Sequence, residues 1–324
     1  MTAVLPDSVE RGRVLVEPAL RAAVDRLHPS LRRVAAYHRG WVDAEGNATD
    51  TGGGKALRPA LALLGAQAAR IDPEVAVPAG VAVELVHDFS LLHDDLMDGD
   101  TERRHRPTAW TVFGSARALL AGDGLLAVAY QLLDSSVAQS LLAGAVDRLV
   151  DGQADDLEFE GRLDVTYADY LAMSAGKTGS LLGAAAALGA SLGGATVEQV
   201  GALARYGEEL GLAFQLVDDL LGIWGDPEVT GKPVLSDVRS RKKSGPIVIA
   251  AAHSAAVRAY LEGADADPVE VAAAIEATGA RDQVGDEVRN HVALAASALG
   301  SADFDAAAVT DLLRTAEYVT GRDR

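Results

Sequence analysis

The chain predicts an all-α fold, a bundle of about ten to thirteen helices, from three features of its residue pattern. Hydrophobic residues make up 49% of the chain but aromatics only 5%. The apolar content is therefore mostly Ala, Leu and Val, which suits closely packed helices better than sheets. Apolar residues recur at the helical period along most of the length, and alternating patterns bounded by Asn-Gly or Asp-Gly turns are missing. No internal repeat period stands out.

The helical pattern runs from Val14 to Tyr37. It resumes from Ala56 to Ala69 after the turn Thr51-Gly-Gly-Gly54, and from Val75 to Met97. Beyond Arg106-Pro107 come Ala116 to Val137 and Leu141 to Leu157, which Gly161-Arg162 closes. Tyr167 to Ala175, Leu181 to Leu192 and Val197 to Trp224 follow, then a loop rich in Gly, Pro and charge from Gly225 to Gly245. That loop is long, polar and basic at its end, which suits a cover over a charged ligand. Ile247 to Leu261 and three or so weaker segments reach Val319, and no linker divides the chain, so residues 1–324 read as one domain.

Thr178 to Val197 is uncharged, but Ala, Gly and Ser dominate it. It reads as a tightly packed core helix rather than a membrane span. Met1 to Leu20 carries Asp7, Glu10, Arg11, Arg13 and Glu17, which fits neither a secretory signal nor an anchor. The net charge of -18, from 29 Lys plus Arg against 47 Asp plus Glu, argues against nucleic acid or an anionic membrane as partner. An anionic ligand must then meet local basic residues. The absence of cysteine excludes disulfides, thiolate nucleophiles and zinc-thiolate sites. A cytoplasmic protein without an integral membrane segment is expected.

Two acidic clusters end apolar helical runs: Asp94-Asp95-Leu-Met-Asp98 and Asp218-Asp219. Helical geometry places Asp94 and Asp98 one above the other with Asp95 beside them. Such carboxylates repel unless a cation sits among them. Hard oxygen ligands favour magnesium, which keeps several waters and takes few protein carboxylates along with phosphate oxygens. Basic residues surround both clusters. Lys55 and Arg58 open a helix after Gly53-Gly54, an anion site in form. His87 stands about two turns before Asp94, in reach of a second phosphate. Arg103-Arg104 follow the first cluster, Lys177-Thr178 precede the small-residue helix, and Gln215 lies three residues before Asp218. Lys232, in Thr230-Gly231-Lys232-Pro233, and Lys242-Lys243 after Asp237 complete a set suited to a metal-bridged polyphosphate.

The order Gly-Gly-Lys-x-x-Arg-Pro, Glu84-x-x-His87, Asp94-Asp95-x-x-Asp98, Arg103-Arg104, Gly152-Gln153, Lys177-Thr178, Phe214-Gln215-x-x-Asp218-Asp219, Gly231-Lys232-Pro and Asp237 with Lys242 resembles the trans-isoprenyl diphosphate synthases. The likeness to this polyprenyl synthetase family covers about residues 50 to 250. It implies a helical bundle around a central cavity, a homodimer, and condensation of isopentenyl diphosphate with an allylic diphosphate (dimethylallyl, geranyl or farnesyl). By motif matching, Asp94, Asp95, Asp98, Asp218 and Asp219 would hold magnesium, three ions with substrate bound. Arg103, Lys177, Lys232 and Lys242 would hold the allylic diphosphate, and Lys55, Arg58, His87 and Arg104 the isopentenyl diphosphate. Gln215 and Thr178 would line the allylic cation.

Two departures from the pattern stand out. Gly222 replaces the usual third acid of the second cluster, the next acid being Asp226, and Ala56 replaces a frequent basic residue. Because magnesium needs few protein ligands, Asp218 and Asp219 are expected to suffice. For product length, Phe89 lies five residues and Ser90 four before Asp94, with no insertion in the cluster. This arrangement resembles geranylgeranyl diphosphate synthases; a farnesyl synthase without the insertion more often has bulk at both places. A terpene cyclase would carry Asn/Asp-x-x-Ser/Thr-x-x-x-Glu on the second helix, which Asp218-Asp219-Leu-Leu-Gly222 does not match. A non-catalytic partner subunit would more often lose aspartates from the first cluster, which here are intact.

Overall fold

The computed structural model describes residues 6–49, 56–225 and 234–321. Among them are sixteen α-helical segments, thirteen of eight residues or more. In chain order they are α1 (Asp7–Val24), α2 (Pro29–His38), α3 (Leu57–Ala68), α4 (Val77–Met97), α5 (Ala109–Phe113), α6 (Ser115–Gln131), α7 (Ser136–Gly161) and α8 (Tyr167–Ser174). After these come α9 (Ser180–Leu192), α10 (Val197–Trp224), α11 (Ser236–Arg239), α12 (Gly245–His253), α13 (Ala255–Leu261), α14 (Pro268–Ala277), α15 (Ala280–Leu299) and α16 (Ala306–Thr320). The all-α expectation holds, with more and shorter helices than the periodicity suggested.

The extra breaks have local causes. Val14 to Tyr37 is two helices because Pro29 starts α2 at its first position, with the His28 ring accepting from the Ser30 N–H at 3.3 Å. α6 ends at Gln131, and Ser135 then caps α7. Ser254 separates α12 from α13 by accepting from the Val257 N–H. A short antiparallel hairpin pairs Glu102 with Pro107 and Arg103 with Arg106, a strand feature that periodicity did not predict. Two-residue strands are too short to show alternation.

α9 lies at the centre, packed against α3, α4, α7 and α10. Its residues from Ser180 to Ala190 are buried, as expected for a small-residue core helix. One large apolar cluster joins α1 to α4, α6, α7, α9 and α10, and a second gathers α8, the C-terminal half of α10 and α11 to α15. α10, with capping-box Thr196 and Gln199 at its start, spans both. It therefore carries the second acidic cluster to the junction of the two cores. By length and composition Pro73–Met97 could cross a membrane, but 72% of its apolar window is buried in the protein.

Candidate active site

The first cluster closes α4. Asp94 and Asp95 lie in the last turn and Asp98 is the C-cap residue. A turn of about 100° per residue puts Asp94, Asp98 and His87 on one side of α4 and swings Asp95 toward the side of Glu84 and Asp88. Asp95 is 1% exposed. Its Oδ1 accepts from the Arg103 Nε at 2.6 Å, while its Oδ2 is buried without a hydrogen-bond partner among the described residues. Burial pushes the Asp94 carboxyl up to about 6, with Asp98 adding to the rise and Lys177 opposing it. Burial raises Asp95 and Asp98 too. These carboxylates lack sufficient positive charge and fit a hard cation.

Arg103 owes its position to the hairpin. Arg104 and His105 turn the chain at φ of 52° and 60°, the left-handed conformations of a tight primed turn. Thr108 Oγ1 and Trp110 Nε1 donate to the Asp100 carbonyl at 2.8 and 2.7 Å and tie the hairpin to the end of α4.

On α10 the Asp219 carboxylate is buried and held from both sides. Gln215 Nε2 donates to its Oδ1 at 2.9 Å, and the Gly245 N–H donates to its Oδ2 at 2.7 Å. Thr178 Oγ1 in turn donates to Gln215 Oε1 at 2.9 Å, which orients the amide. Lys177 and Thr178 sit in a single π-helical turn, Ala175–Gly179, inserted before α9. Such turns recur at functional sites because they re-aim side chains. Gly152 on α7 permits this one: a Cβ there would lie 2.3 Å from the Lys177 backbone nitrogen. The close approach sets Lys177 Nζ 2.6 Å from Asp156 Oδ2. Burial opposes the Lys242 charge, but Asp156, Asp219, Asp237 and Asp98 outweigh it and raise the pKa.

A cationic group faces the other flank of α4. Arg39 is buried and donates to Asp88 at 2.5 Å and to Glu84 at 3.2 Å. Burial lowers Arg58, against the fields of Glu84, Asp88 and Asp218, and its Nε has no hydrogen-bond partner among the described residues. Burial and the charges of Arg58 and Arg104 hold His87 well below its usual range, so its ring is neutral. His38 is pushed down to about 3 by burial and four arginines. Beside this group a small cavity is lined by Tyr37, His38, Asp95, Arg103, Arg104 and Arg106.

The structure thus brings Asp94, Asp98, Lys177, Asp219 and Lys242 into one field. Thr178 and Gln215 bridge to it, and Arg58 and Arg104 act on His87, with Arg58 also in the field of Asp218. Lys55 and Lys232 lie outside the described residues, as does most of the expected covering loop. Periodicity missed Asp156, Arg39, His38 and Asp88. Only Asp156 left a trace, as the second acid shortly after Gly152-Gln153. Phe89, 8% exposed, meets His93 edge-on at 4.7 Å, and Ser90 is half-buried with its hydroxyl donating to the His87 carbonyl.

Helices thus carry two aspartate-bearing ends and their cations into one site, the arrangement of a protein that handles a metal-bridged anion. Residues 41–278 match the Polyprenyl synthetase family model. Over 328 residues, 95% of this chain and 90% of the relative, the sequence is 45% identical to a (2E,6E)-farnesyl diphosphate synthase of Mycobacterium tuberculosis. It is also 46% identical over 249 residues to a geranylgeranyl diphosphate synthase of the same organism, covering 75% and 71% of the two chains. The crystal structure of a polyprenyl synthetase from Streptomyces coelicolor superposes with a TM-score of 0.92 at 48% identity, covering 97% of this chain and 98% of that one. The chain belongs to the polyprenyl synthetase family and is a chain-elongating trans-prenyltransferase.

Proposed function

We propose that this protein condenses isopentenyl diphosphate with an allylic diphosphate in a magnesium-dependent reaction that yields geranylgeranyl diphosphate. The different make-up of two groups of charged residues supports this reading most directly. Carboxylates interleaved with Lys177, Lys242 and Arg103 suit a metal-bridged diphosphate, whereas Arg58, Arg104 and neutral His87 suit a diphosphate bound without metal.

Magnesium fits the donor set: Asp95 has a buried carboxylate oxygen without a partner among the described residues, and burial holds the Asp94 pKa high. Asp94, Asp95, Asp98, Asp218 and Asp219 are the residues to hold it. When bound, the metal neutralises charge on the leaving diphosphate. Lys177, Lys242 and Arg103, with Lys232, bind that diphosphate and stabilise the charge it gains as its carbon–oxygen bond ionises. Lys55, Arg58, His87 and Arg104 place isopentenyl diphosphate so that its double bond attacks the cation, and proton loss leaves a chain five carbons longer. The Gln215 amide and Thr178 hydroxyl line the cation's position, their mutual hydrogen bond holding the dipoles still. Burial of the surrounding carboxylates and lysine keeps water from quenching it.

Phe89 ends the prenyl tunnel in this reading, and small Ser90 leaves room beside it. A farnesyl product is the second reading, favoured by the name of the 45% identical relative. We assign the chain to one domain and to the cytoplasm. Incubation of purified protein with magnesium, isopentenyl diphosphate and radiolabelled dimethylallyl, geranyl or farnesyl diphosphate tests the assignment. Twenty-carbon diphosphate is expected, fifteen-carbon product from the shorter starters supports the second reading, and cyclic hydrocarbon or no turnover overturns both.

A further inference from the structure

Arg39 is the residue that closes α2, and at 7% exposure it is an almost fully buried cation. It reaches two acids one turn apart on α4, donating to Asp88 at 2.5 Å and to Glu84 at 3.2 Å. Both carboxylates are buried as well. The Trp41 ring backs the guanidinium, with its centroid 5.2 Å from the guanidinium carbon. One forked cation thus ties α2 to the two acids that flank His87 in sequence.

The same two acids act on the cations assigned above to isopentenyl diphosphate. Arg58 lies in the field of Glu84, Asp88 and, from the second cluster, Asp218, while Arg104 feels Asp88, Glu84 and Arg39 itself. Burial raises the Asp88 pKa, and Arg39, Arg104 and Arg58 oppose it in that order. Beside α4, then, Arg39, Arg58 and Arg104 face Glu84 and Asp88, which leaves positive charge over for an incoming anion. Without Arg39 that surplus would be gone, and neutral His87 and His38 could not replace it. Two buried carboxylates in need of donors would then draw on Arg58 and Arg104 and compete with a diphosphate for them.

We propose that Arg39 is a positioning residue for isopentenyl diphosphate: it occupies the Glu84 and Asp88 carboxylates and so leaves the Arg58 and Arg104 guanidinium groups to the diphosphate. The inference rests on the assignment of Arg58, His87 and Arg104 to that substrate.

Calorimetric binding of isopentenyl diphosphate to the full chain, with steady-state kinetics for both substrates, tests this. Arg39→Met removes the charge and should weaken isopentenyl diphosphate binding about tenfold or more, with a matching rise in its KM and a near wild-type KM for the allylic diphosphate. Arg39→Lys keeps the charge but cannot fork across two carboxylates. It should weaken binding about threefold, and it carries the test where Arg39→Met does not fold. The triple variant Arg39→Met/Glu84→Gln/Asp88→Asn removes the cation together with both acids and should return to near wild-type affinity, because no buried charge is left to compete. Wild-type affinity in the folded Arg39 variant, alongside weakened Arg58→Met, overturns this inference and leaves the substrate assignment standing. Unchanged affinity in Arg58→Met overturns that assignment as well. Equal losses for both substrates, or a folded triple variant that binds no tighter than the single one, would make the ion pair purely structural and overturn the inference too.

Discussion

Asp94 illustrates how the interior alters a single group. Burial raises its pKa to about 6, so below that pH it holds a proton that a metal bound there would have to displace. A raised carboxyl pKa means that metal affinity increases with pH up to about 6 and then levels. Magnesium titrations by calorimetry should show up to a tenfold loss of affinity for roughly each pH unit below that point. Affinity unchanged down to about pH 5 would remove Asp94 from the ligand set. Phe89 raises a different question, since its ring is buried and held edge-on against His93. Phe89→Ala should shift products beyond twenty carbons, and the same chain-length distribution from variant and wild type would sink the tunnel-floor role. At this scale the motif residues were legible because charge and spacing alone mark them. Arg39 and Asp88 were not, because a buried ion pair joins residues 49 positions apart and leaves no periodic trace.

Helix contacts decide whether these residues meet. α3 and α9 approach until a Cβ on Gly65 would lie 2.0 Å from the Ala186 carbonyl oxygen, and one on Gly189 would lie 2.0 Å from that of Ala62. Small residues on both helices make this contact possible, and α3 carries Arg58 at its start. Backbone cannot move aside as a flexible side-chain end can, so Gly189→Ala should cost about 3 kcal/mol. Urea unfolding checks it through the midpoint, and an unchanged midpoint would show that the two helices separate freely. The long apolar runs were readable as helices from period alone. Their ends were read less well: Pro29, Ser135 and Ser254 end or start helices within runs that remain apolar on both sides. The π turn was invisible as well, because it inserts one residue without changing composition.

For the molecule as a whole, α6 and α7 leave large apolar side chains outside, among them Leu119, Leu120, Val137 and Val150. Exposed apolar residues on consecutive helices of a protein with net charge -18 suit a dry contact with a second copy. We therefore carry forward the homodimer that the family resemblance implies. Light scattering should give twice the 33.5 kDa chain mass, and Leu120→Asp should shift the protein toward monomer. A wild-type monomer at assay concentration would refute the dimer.

The sequence by itself determined the helical class, the two acidic clusters and most of the cations around them, because helical period and charge are local properties of the chain. Only the tertiary structure decided what those groups face. It set Asp156 against Lys177, turned Asp95 toward Arg103 and laid the Asp237 carboxylate over Gly222. Contacts of that kind depend on how closely helices distant in sequence pack, and local pattern carries no record of that distance.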